Sequence, residues 1–266
     1  MNKKGTFWLI IVILLGVCAG VLRGIEVSAH FDWDTALYEP FSTAFVLPVY
    51  TALSIALIGL LALARRDRLT ELTESYPIGG KTGLFVAALA SLALCAAGLW
   101  KLFEALTTLR AVNIILGILT VLAGAVLLAL AKARLDRKVP EYTRFISSLV
   151  IFWGCFLLVI TYMEHPVEPV IRNFAYDILA SCFVVFALFY EVAPLFRKTR
   201  RSAALFFTLG SVYLTLLTIV GRVVAFMASG DLRNLTDAPF RMIVFACVGV
   251  LLMQNAAGLL GRDAGR

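Results

Sequence analysis

The sequence predicts an all-α fold, a bundle of eight transmembrane helices with no soluble domain, and three observations predict it. About eight apolar runs fill the chain, separated by short charged segments. Each run is near the ~20 residues that a helix rising ~1.5 Å per residue needs to cross a hydrocarbon core ~30 Å thick. Hydrophobic residues make up 61% of the 266 and charged ones 15%, where a soluble domain holds roughly 45–50% and 25%. The runs and their connections occupy the whole length, so 1–266 reads as one membrane domain. No segment of ~50 residues is left over for a second one.

The first span, about 6–25, follows Lys3 and Lys4. A weak small-residue site near Ala19 raises the question of a signal peptide. The run is long enough to span, and it reads as a retained helix. Val17 is too large for the position before Cys18 in a lipoprotein signal. The remaining spans are expected at about 43–64, 82–104, 110–132, 145–163, 173–196, 203–227 and 239–260. Pro48 and Pro194 fall inside the second and sixth, and each should kink its helix by removing a backbone hydrogen bond.

Orientation follows from the distribution of lysine and arginine. Of 24 such residues, only Arg23, Lys101, Arg110, Arg172, Arg222, Arg233 and Arg241 fall in or beside the odd-to-even connections. This predicts N-in and C-in in a cell (cytoplasmic) membrane. It also accounts for the net charge of +7, so nucleic acid is not an expected partner. The first outer connection carries Glu26, Asp32, Asp34 and Glu39 beside His30, Phe31, Trp33 and Tyr38. It reads either as an acidic mouth for cations or as a solvated loop with interfacial aromatics. Pro166 and Pro169 mark the outer turn between the fifth and sixth spans. The Asn234-Leu235-Thr236 sequon reads as a chance match.

Cys18, Cys95, Cys155, Cys182 and Cys247 each sit alone in a run. They read as small buried hydrophobes, with neither a disulfide framework nor a metal site. His30 and His165 are the only histidines, and both lie in outer connections. No metalloprotease, nucleophile-elbow or phosphate-loop pattern is present, so neither a catalytic residue nor a cofactor is assigned.

Close packing has its own pattern. Gly16, Gly20 and Gly24 repeat every four residues along one face of the first span. Ala87, Ser91 and Cys95 do the same in the third, flanked by Ala93 and Ala97. Small residues let helix backbones approach where lipid supplies little hydrophobic drive. These faces should make internal contacts, with a homodimer contact as the alternative. A faint repeat aligns Leu89, Ser91 and Leu94 with Leu209, Ser211 and Leu214. It suggests two four-helix halves, 1–139 and 140–266.

Ionisable residues inside spans point to function, because a charge in hydrocarbon is costly and normally faces the bundle interior or water. Asp177 and Arg222 lie at similar depth near the outer ends of the sixth and seventh spans, and an ion pair between them is expected. Tyr176, Arg23, Glu26, Lys101, Glu104 and Arg110 lie near that depth and would complete an outer vestibule. In the plainer reading, Arg23, Lys101 and Arg222 snorkel to the headgroups and Asp177 polarises the start of its helix. Glu191 lies near the inner end of the sixth span, level with Gln254 and Asn255 on the eighth. At ~100° per residue the interval from Asp177 to Glu191 returns to nearly the same face, with Ser181 between. Two carboxylates on one face suit a proton or cation pathway. The plainer reading pairs Glu191 with an inner-loop cation such as Arg197 or Arg200.

The leading expectation is therefore a protein that binds or transports a small molecule or ion. Asp177 and Glu191 would handle a cation or proton, Arg222 would hold Asp177 or an anionic group, and Tyr176, Gln254 and Asn255 would line the path. Two alternatives stand beside it: an accessory or sensory protein whose partner reads the cytoplasmic loops, and a membrane-embedded enzyme.

Overall fold

Hydrocarbon offers no partner to backbone N–H and C=O groups, so each spanning segment must satisfy its own, and a helix does so locally. The computed structural model describes residues 3–32, 37–38, 45–64, 71–72, 80–136, 140–163, 171–196, 199–236 and 239–261. The helices among them are α1 (Lys3–His30), α2 (Val46–Ala64), α3 (Gly80–Thr108), α4 (Ala111–Leu135), α5 (Glu141–Met163), α6 (Ile171–Val192), α7 (Arg201–Ser229), the single turn α8 (Arg233–Thr236) and α9 (Pro239–Gly261). All but α8 are long and apolar enough to cross a bilayer, which gives eight spans. The protein is a multi-pass membrane protein. Two short antiparallel pairings, Phe31–Asp32 with Leu37–Tyr38 and Glu71–Leu72 with Thr199–Arg200, fasten connections at the bundle ends.

Several helices run past the expected limits. α1 continues through Arg23 and Glu26 to His30, because both charged side chains are buried in the bundle and do not mark its surface. α7 stops at Gly230, whose φ of 70° is left-handed, with its N–H on the Phe226 carbonyl at 2.8 Å. Leu109 makes the tight turn from α3 to α4 at φ 52°, a conformation that costs a non-glycine residue roughly 1–2 kcal/mol.

Neither proline kinks a helix. Pro48 is the third residue of α2, within the first turn, where no intrahelical N–H is required. Pro194 lies beyond α6, in a 3-10 turn over Ala193–Leu195 that ends the helix.

α7 is the centre of the bundle and packs against α1, α2, α6 and α9. From α6 the helices continue as an arc through α5, α4 and α3, and α3 closes the arc onto α9. The first-span glycine stripe is buried against α7. A Cβ on Gly20 would lie 2.6 Å from Val220 Cβ, and one on Gly24 would lie 2.5 Å from Val224 Cβ. The third-span stripe meets α4, where a Cβ on Gly124 would lie 2.6 Å from Cys95 Sγ and 2.9 Å from the Ser91 carbonyl. Both stripes thus make internal contacts, with different partners. Ala87, Ser91 and Ala97 are buried there.

The thiols divide. Cys247 is buried, but Cys18 and Cys155 face outward, contrary to the expectation that all five are interior. The outer surface of a membrane bundle is itself apolar, as Phe7, Leu14, Phe103, Phe152 and Met227 on it show, so an uncharged thiol gains little from moving inside. Asn234 is buried and its amide donates to Ser229 Oγ at 3.0 Å and to the Asp231 carbonyl at 3.2 Å. The sequon asparagine is a structural residue. Trp33, Asp34, Glu39, His165, Pro166 and Pro169 lie outside the described residues.

Candidate functional site: two buried charge clusters on one helix

Gly5 of α1 lies against Leu260 of α9, so the first and last helices bring their terminal ends together. We call this the terminal end of the bundle, and the opposite one the far end. α6 carries a buried carboxylate near each.

At the far end, Asp177 is 1% exposed. Arg23 from α1 donates Nη1 and Nη2 to Oδ1 at 3.2 and 3.3 Å. Arg222 from α7 donates Nη2 to Oδ2 at 2.6 Å. Arg241 from α9 places Nη1 3.9 Å from the same oxygen. Four helices therefore meet on one carboxylate. Arg23 also lies over the Tyr176 ring, 5.4 Å from its centroid, which adds a cation–π contact. Glu26, one turn beyond Arg23, is buried too.

Gly221 makes this arrangement possible. A Cβ there would sit 3.0–3.2 Å from three carbons of the Arg23 stem. The missing side chain lets that stem lie flat on α7, so the guanidinium reaches inward.

The expected Asp177–Arg222 pair is present. The structure corrects its surroundings. Arg23 is buried, not snorkelling, and Asp177 sits in the second turn of α6, where arginines and not the helix terminus engage it. Lys101 and Glu104 pair with each other at 3.3 Å, and Lys101 lies over Phe240. Arg110 is exposed. These three do not contact Asp177.

At the terminal end, Arg134 from α4 donates Nη1 to Glu191 Oε1 at 2.8 Å and to Asn255 Oδ1 of α9 at 3.1 Å. All three residues are buried. Arg134 Nη2 reaches the Glu191 carbonyl at 3.4 Å. That carbonyl is available because Pro194, three residues on, has no N–H, and the 3-10 turn moves bonding to i+3, as Phe196 N–H on Ala193 O at 3.0 Å illustrates. Arg134 from α4 is a partner of Glu191 that lies outside the inner loops named above. Arg200 is exposed, and Arg197 lies outside the described residues.

Gln254 and Asn255 part company. Gln254 donates to the Gly83 carbonyl of α3 at 3.3 Å and does not join Glu191. Nearby, Arg201 donates to the Leu259 carbonyl, covering an open C-terminal acceptor of α9.

Between the clusters the interior is apolar with embedded hydroxyls. Ser181 of α6 and Thr208, Ser211, Thr215 and Thr218 of α7 are all buried. Ser181, Ser211 and Thr215 each donate to the carbonyl four residues back at 2.7–2.8 Å. Their oxygens keep acceptor capacity while the helices stay intact. Tyr213 is fully buried and its hydroxyl donates to Thr51 Oγ1 of α2 at 3.4 Å.

Two cluster members escaped the sequence reading. Arg134 looked like one more loop cation at the inner end of its span. Arg241 lay inside the eighth span, and that position was the available signal. Compared with family models, with curated proteins and with solved structures, the chain matches none.

Proposed function

We propose that this protein is a carrier for a small solute or ion, held here with both ends closed by ionic locks. The Asp177 cluster is the far-end lock and the Glu191 cluster the terminal-end lock. The observation that supports this reading is that one helix, α6, bears a buried carboxylate near each end, and each is held by arginine from a different set of helices.

A buried ion pair is a poor device for stability alone. Apolar residues of similar volume serve as well or better, because desolvation offsets most of the Coulomb attraction. Its particular property is that it opens when a competing ion or a proton arrives. Two such pairs, set on one face of one helix, allow one end to release while the other stays shut. The α6–α7 hydroxyls lie between them as acceptors for a passing polar group.

In this scheme Arg222 and Arg23 recognise an anionic group that displaces Asp177, Asn255 lines the terminal-end lock, and Tyr176 borders the far-end one. Gln254 fastens α9 to α3. The lysine and arginine distribution along the loops supports a terminal end that faces the cytoplasm.

The test uses Ser181→Cys in a background whose native cysteines are replaced, reconstituted in vesicles and probed with a membrane-impermeant thiol reagent. Asp177→Asn should expose this cysteine from the far side, and Arg134→Gln from the terminal side. If both variants fold and neither labels, the clusters are permanent fasteners. The accessory reading then replaces the carrier.

A further inference from the structure

We infer that Glu191 is the protein's proton site, binding and releasing one proton at the terminal end, while Asp177 is permanently ionised. The inference deepens the carrier reading, on which it rests, by naming the coupling ion.

The two carboxylates differ in how their oxygens are used. Asp177 has a guanidinium on each oxygen, Arg23 on Oδ1 and Arg222 on Oδ2. Neither oxygen is left without a cationic donor, so both are stabilised in the ionised form. Glu191 has Arg134 on Oε1 alone. Its Oε2 is buried and has no donor among the described residues. A buried carboxylate oxygen without a donor carries its full desolvation penalty. A proton is the smallest group that relieves it.

The surroundings of Glu191 suit that exchange. Among the described residues, Arg134 of α4 is the charged side chain that contacts it, and Asn255 of α9, on the same guanidinium, is neutral. From α7, Arg201 is directed to the Leu259 carbonyl. At the same end, Lys132 and Asp136 beside α4, Glu141 and Arg144 on α5, and Arg200 before α7 are exposed. On α6 itself, the Tyr190 ring stacks on Phe207. Asn255 Nδ2 is also buried with no hydrogen-bond partner among the described residues, so a second polar atom beside Arg134 can take up a rearranged bond.

The step balances simply. One proton leaves water at the terminal end and binds Oε2, and Glu191 changes from carboxylate to carboxylic acid. Arg134 keeps its charge and its bond to Asn255 Oδ1 but no longer faces an ionised Glu191, so the tie between α4 and α6 weakens. Release of the proton restores it. Proton binding and opening of the terminal-end lock are thereby one event.

The experiment is a pH-difference infrared spectrum of the full-length protein in lipid, which needs no substrate. Acidification should produce the carbonyl stretch of a buried carboxylic acid, set apart from that of hydrated carboxyls. This band should vanish completely in Glu191→Gln, persist in Asp177→Asn, and move in Glu191→Asp, which also serves if the glutamine variant fails to fold. A band that survives in folded Glu191→Gln, that is lost in Asp177→Asn instead, or that is missing in the wild type overturns the inference. Failure here is separate from failure of the carrier. The band with no side-dependent labelling of Ser181→Cys leaves a proton-sensing protein that carries nothing, and labelling without the band leaves a carrier with another coupling ion.

Discussion

The two ends of α6 solve the same problem differently. Each buries a carboxylate in an apolar bundle, but Asp177 receives guanidinium groups on both oxygens from α1 and α7, whereas Glu191 receives Arg134 on one. The far end is thus over-determined, since four helices converge on it. At the terminal end the Arg134 guanidinium is shared among a carboxylate, an amide and a backbone carbonyl. In a low-dielectric interior this distinction has consequences. A fully bonded charge is hard to disturb, and a partly bonded one keeps more of its desolvation penalty.

The largest expected effect comes from breaking the over-determined end. Asp177→Asn leaves buried guanidiniums facing a neutral amide and should cost about 3–5 kcal/mol, the range for removing one partner of a buried pair. Thermal unfolding in detergent measures it, and adding Arg222→Gln should return part of the loss. Glu191→Gln removes a carboxylate that Arg134 holds through one oxygen, and its cost should be smaller than that of Asp177→Asn. Equal losses would mean that the two ends of α6 are held equally firmly.

A packing substitution tests the same contrast without touching a charge. Gly24→Leu puts side-chain atoms where Val224 Cβ already lies 2.5 Å from an added Cβ. It should cost about 1–3 kcal/mol as overpacking. The far end alone should loosen, because α1 carries Arg23 to Asp177 one residue away. Far-side labelling of Ser181→Cys should rise while terminal-side labelling does not. A symmetrical rise would mean that the two charge clusters are not independent.

The smallest effect belongs to Gln254→Leu. It loses one neutral bond to the Gly83 carbonyl, and such interhelical bonds in membranes average about 0.6 kcal/mol. The thermal midpoint should fall only slightly, with labelling at both ends unchanged. A large loss would make this tie part of the terminal-end lock.

Much of the fold was legible because the bilayer constrains each segment separately. Apolar length alone located the eight spans, and four-residue spacing identified Gly16, Gly20 and Gly24 as a packing face. The pairing of Asp177 with Arg222 followed from depth on neighbouring helices. What stayed hidden was long-range. A glycine stripe states that some backbone comes close but not which one, and here α1 meets α7 while α3 meets α4. Arg134 and the snorkelling candidate Arg23 look like ordinary boundary cations along the chain. Their inward direction depends on neighbours such as Gly221 that are distant in sequence.

By itself, then, the sequence determined that this chain crosses a membrane eight times as helices, because hydrophobic length and backbone satisfaction are local requirements. It also determined that α6 presents two carboxylates on one face, because helical periodicity is local too. Only the tertiary structure decided that Asp177 is gripped on both oxygens and Glu191 on one. That outcome depends on how closely α1, α4, α7 and α9 approach α6, and close approach is set by the shapes of all the helices packed together.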